Sequence, residues 1–145
     1  MTRLKTLAPG LAEKLASASA EEVRTIVLEA CRSAVRESGL HDDEVSGALD
    51  LLRRHKGPAQ GLAERIAALV ERWDERYLAL QEESDRGTAS PGEYLVVFSQ
   101  ARAASAVAFA ISDDSLESSM EALYEAAMAT ESPERTALGW EDLLK

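Results

Sequence analysis

The chain has 145 residues, 46% of them hydrophobic and 29% charged, with a formal net charge of −10. This is the balance of one globular domain with room for a core, rather than of a disordered tail or of two domains. The acid excess argues against a nucleic acid partner, because phosphate recognition needs a basic face.

Ala, Leu and Glu dominate, so helix propensity is high throughout. One cysteine, Cys31, cannot form an internal disulfide, which fits a reducing cytoplasm. Glu13 and Lys14 cut the first apolar run too short for a signal peptide.

Residues 2–17 predict a short helix, with Leu4, Leu7, Leu11 and Leu15 at helical spacing and a break at Pro9-Gly10. Ser19-Ala20-Glu21-Glu22 is a capping box. It opens a helix whose apolar face is Val23, Ile26, Val27, Ala30, Cys31, Ala34 and Val35, stopped by Gly39. Asp42 caps the next helix, which buries Val45, Ala48, Leu49 and Leu52. Arg53-Arg54-His55-Lys56 then complement its C-terminal dipole, and Gly57-Pro58 ends it.

The longest amphipathic helix runs from Pro58 to about Glu83, with Leu62, Ile66, Leu69, Val70, Trp73, Tyr77 and Leu80 inward. Ser90-Pro91-Gly92-Glu93 predicts a second capping box. Behind it, Tyr94–Ile111 is apolar on nearly every side, which places it at the centre of a bundle. Ser112-Asp113-Asp114 ends that helix and caps another, with Leu116, Met120, Leu123, Tyr124 and Ala127 inward. Ser132-Pro133-Glu134 opens a last short turn, interrupted by Gly139, from which Trp140, Leu143 and Leu144 pack back.

The expected fold is all-α. It is a single-domain bundle of five to six mostly antiparallel helices around a central apolar helix, about 91–111, with 1–18 and 131–145 at the periphery. The central stretch is long enough to test as a membrane span, but Gln100 and Arg102 at its middle are costly in lipid, so no membrane is expected.

No metal-ligand cluster, nucleophilic elbow or phosphate loop stands out, and no cofactor is expected. His41 and His55 sit at opposite ends of one helix, about 20 Å apart at 1.5 Å per residue, too far to share an ion. Cys31, on an apolar face, reads as an inert thiol. Ser99, Arg102 and Ser105 form a polar seam along the apolar helix. A buried guanidinium needs a partner, and Asp50 and Asp74 are the candidates. The functional alternative is an internal anion pocket around Arg102.

Residues 93–145 hold ten carboxylates against three bases, −7 of the total. Asp114, Glu117, Glu121 and Glu125 form an acidic stripe there, a solvated face or a docking surface for a basic protein partner. Tyr94-Leu95-x-x-Phe98-x-x-Ala101-Arg102-Ala103-Ala104, after a long helix bearing Trp73, resembles small bacterial helical proteins of uncharacterised function, some antitoxin- or immunity-like. The resemblance spans residues 20–130 and implies an acidic protein docking on a basic toxin. The leading expectation is therefore a non-enzymatic cytoplasmic interaction protein. The alternatives are a small-molecule binding bundle or enzyme with a pocket at Arg102, and a homo-oligomer paired through an amphipathic helix.

Overall fold

The computed structural model describes residues 3–144. Met1, Thr2 and Lys145, at the edges of the expected terminal segments, lie outside the described residues. The described residues are all-helical, in eight helices: α1 Arg3–Leu7, α2 Pro9–Ser17, α3 Ala20–Ser38, α4 Asp43–Arg53, α5 Gln60–Asp85, α6 Pro91–Ser112, α7 Leu116–Met128 and α8 Pro133–Leu143.

The count exceeds five to six for two reasons. Pro9 takes the first position of a new helix, so residues 3–17 divide into two. Gly139 is absorbed inside α8, which runs 11 residues rather than one turn. Neither terminal segment is merely peripheral. Leu4 and Leu11 are fully buried, and Trp140 and Leu144 are buried. The Lys14 ammonium ties α2 to the end of α8 by donating to the carbonyls of Glu141 and Leu144. Leu143, expected inward, is 63% exposed, and Leu116 also faces outward.

The Ser19 box forms as expected: the Ser19 hydroxyl accepts the Glu22 amide, and the Glu22 carboxylate accepts the Ser19 amide. Asp42 caps α4 through the Val45 amide. The second box does not form. Ser90 makes no side-chain cap bond, and the Glu93 amide donates instead to its carbonyl. The cap of α7 is Ser115, which accepts the Ser118 amide, while Asp113 accepts the Ser115 amide just outside the helix.

Three helices close with the same pair of reversed hydrogen bonds. After α3, Gly39 and Leu40 donate to Arg36 and Val35; after α5, Gly87 and Thr88 donate to Ser84 and Glu83. After α4, His55 and Lys56 donate to Leu52 and Leu51. The motif needs one left-handed residue. Gly39 (φ 71°) and Gly87 (φ 81°) supply it without a Cβ, but α4 uses His55 at φ 57°.

Residue pairing sets the helix directions. Asp74 meets Arg102, Tyr77 meets Phe98, and the Ala59 amide donates to the Ile111 carbonyl, so α5 and α6 are antiparallel. Arg102 and Ser105 meet Glu125 while Ser99 meets Ala129, so α6 and α7 are antiparallel too. α6 packs on α3, α4, α5 and α7; α7 packs on α1, α2, α3, α6 and α8. The centre is thus a pair of helices, not one. Ala101, Ala103, Ala104 and Ala106 on α6 and Ala122 and Ala126 on α7 are fully buried, and such small side chains let backbones approach closely.

The expectation that Tyr94–Ile111 is buried all round holds only for its C-terminal half. No residue from Glu71 to Gln100 is buried. α3 stops at Ser38, whose carbonyl accepts from Gln100, and α7 stops at Met128, just before the carbonyl that accepts from Ser99. Beyond that level α5 and α6 continue alone as a two-helix hairpin, for about 15 Å of α6 at 1.5 Å per residue. Among the described residues α6 alone is long and apolar enough to cross a membrane, by length and composition.

Candidate functional site

The polar seam of α6 ends in a knot of charge. The Arg102 fork gives one terminal nitrogen to both oxygens of Glu125, at 3.0 and 3.1 Å. The other goes to both oxygens of Asp74, at 2.8 and 2.7 Å. The Ser105 hydroxyl donates to Glu125 at 3.1 Å. Arg3, from α1, reaches the same carboxylate at 3.2 Å and Glu121 at 2.6 Å, with its guanidinium 4.3 Å from the centre of the Tyr124 ring. Burial pulls the Arg3 guanidinium down, but hydrogen bonds and charge from Glu121 and Glu125 more than offset it and raise its pKa. Three helices, α1, α6 and α7, therefore meet at Glu125, itself only 3% exposed, and Arg102 ties in α5 through Asp74.

Of the two carboxylates proposed for Arg102, Asp74 is the partner. Asp50 instead pairs with Arg53 at the end of its own helix and Arg54 just after it, which hold its carboxyl below the usual range, the Arg53 hydrogen bond foremost. Glu125 was missed because its spacing from Glu117 and Glu121 reads as a solvated row. The one signal against that reading is the alanine on each flank of its helical face, Ala122 and Ala129, both buried. Ser99 lies in the seam but turns to the Ala129 carbonyl. Both terminal nitrogens of Arg102 are bonded within the chain, and its Nε is a buried donor without a partner among the described residues.

The acidic stripe divides. Asp114 and Glu117 are exposed, whereas Glu121 is half-buried and Glu125 buried, both paired with arginine. The four do not present one docking face.

The projecting hairpin has a different character. Tyr77 packs at a tilt against Tyr94 and Phe98, ring centres 5.8 and 5.2 Å apart, which holds α5 to α6. Leu78, Leu95 and Val96 are 56%, 55% and 53% exposed. Leu95 lies seven residues before Arg102 and so continues the side of α6 that meets α7, while Leu78 lies four after Asp74, on the side of α5 that meets Arg102. Around Leu78, at helical spacing, stand Glu71, Glu75, Glu82 and Asp85, none in an ion pair among the described residues. The result is an apolar strip with a carboxylate rim.

Other chemistry is thin. Among the described residues no group of three His, Cys, Asp or Glu side chains is placed to hold a metal ion. Cys31 is fully buried, and burial pushes its thiol up to about 12, far from a reactive thiolate at neutral pH. Comparison with protein families, with curated proteins and with solved structures gives no match.

Proposed function

We propose that this chain is a non-enzymatic, cytoplasmic protein-interaction module, docking a basic amphipathic protein segment on the projecting half of the α5–α6 hairpin. An immunity- or antitoxin-like role is a special case of this reading. The observation that carries it is the run Glu71–Gln100, where no residue is buried although Leu78, Leu95 and Val96 are large and apolar. Contiguous exposed apolar surface rimmed by polar groups marks an interaction site. Residues 71–100 carry seven carboxylates against three arginines, and this excess favours a cationic partner and speeds its approach. The docking face thus moves from α7 to the hairpin, because Glu121 and Glu125 are committed to Arg3 and Arg102.

The test uses a synthetic helical peptide with leucine on one face and lysine on the other. Calorimetric titration is expected to show binding that weakens with salt. It should be lost in the Leu78→Lys/Leu95→Lys variant and kept in Asp114→Lys/Glu117→Lys. The opposite pattern contradicts the assignment. So does a protein that sediments above monomer mass without peptide and returns to monomer in Leu78→Lys/Leu95→Lys, since the strip would then be covered by a second copy.

A further inference from the structure

At the end of the bundle opposite the hairpin lies a cleft of about 420 Å³, within the size range of small-molecule sites. Its apolar wall is built from Val23 and Val27 of α3, Leu51 and Leu52 of α4, and Ile111 of α6. Its charged groups are sorted by sign. Arg24 comes from α3 and Lys56, with the His55 imidazole beside it, from the turn after α4; Asp113 and Asp114 come from the α6–α7 loop.

Two features bear on the basic side. Arg24 and Lys56 make no ion pair among the described residues, which leaves their charge open to a ligand, while Arg53 and Arg54, close to Lys56 in the chain, share Asp50. And His55 holds the left-handed position that α3 and α5 give to glycine. A Cβ is disfavoured in that conformation. The closing turn of α4 holds His55 there, such strained positions cluster at functional sites, and this one borders the cleft. On the acidic side, Asp113 is fixed by the Ser115 amide at 2.8 Å.

We propose that this cleft binds a small zwitterion with an apolar body, the chemistry of a short apolar peptide. Its carboxylate lies toward Arg24, His55 and Lys56, and its ammonium toward Asp113 and Asp114. A simple hydrophobe would leave both charged walls unanswered, and a simple anion would leave the two aspartates facing it. The zwitterion answers both walls while its side chains cover the valine, leucine and isoleucine floor.

The experiment titrates isotope-labelled protein with four probes: trileucine, N-acetyl-trileucine, trileucine amide and octanoate. Trileucine is expected to shift the amides of Val27, Leu52 and Ile111. Each capped form should bind about tenfold more weakly, the loss of one hydrogen bond to a charged group. His55→Gly relieves the backbone and so keeps the fold; it is expected to weaken trileucine while leaving the amide form unchanged. Binding of octanoate or N-acetyl-trileucine as tight as that of trileucine overturns the zwitterion. Absence of shifts with all four probes overturns the site, as does His55→Gly binding trileucine as well as the native chain.

Discussion

Glu125 is the residue on which the architecture turns. A carboxylate buried at the junction of α1, α6 and α7 is tolerable only because Arg102, Arg3 and Ser105 surround it. Removing one side of such a pair strands the other, at a cost of about 3–5 kcal/mol. Arg102→Met is expected to destabilise by that order in urea unfolding. Glu125→Met leaves Arg102 its Asp74 partner and costs less. The double variant Arg102→Met/Glu125→Met should be more stable than Arg102→Met alone, because two apolar groups replace two charges. α6 and α7 meet largely through alanine, which gives little shape to fix their register. The double variant is therefore expected to broaden amide resonances along α7. Sharp native-like spectra would show that packing alone sets the register.

At the scale of elements, two serines with the same apparent role part company. Ser19 caps α3 by a real hydroxyl bond, so Ser19→Ala is expected to cost about 1 kcal/mol. Ser90 makes no such bond at α6, so Ser90→Ala should be nearly silent in the same denaturation assay. The Ser19 box also has a pH signature. The Ser19 amide, foremost, and its hydroxyl hold the Glu22 carboxyl below its usual 4.5. A lowered folded pKa gives stability that is present above the unfolded pKa and lost as pH falls through the folded one. The difference between Glu22→Gln and the native chain should therefore be seen at neutral pH and vanish on acidification through that range.

The helices were legible because periodicity, caps and breakers are local. Val23 through Ala34, Asp42, Gly39 and Pro91 each act within a turn or two of chain. What escaped was set by where other helices stop. Leu95 and Val96 belong to the most apolar stretch of the chain. They are exposed because α3 ends at Ser38 and α7 at Met128. Glu125 escaped for the mirror reason: a row of glutamates looks solvated until a neighbouring helix brings an arginine to it. Asp74 could be named in advance, together with Asp50, because each adjoins apolar residues on an amphipathic helix; only the packing of α5 on α6 selects Asp74.

Taken whole, the molecule has three parts with different physics. An alanine-packed pair, α6 and α7, is pinned by the charge knot. A charge-sorted cleft lies at one end, and a two-helix projection with an apolar, acid-rimmed strip at the other. The projection is the part whose exposure folding alone does not explain, and its role as a docking surface is the central claim. Hydrogen–deuterium exchange of the full chain, with and without the leucine–lysine helical peptide, tests it most directly. The account predicts new protection within residues 71–100 and none over residues 114–125. Protection confined to 114–125, or no change in 71–100 at saturating peptide, would contradict it.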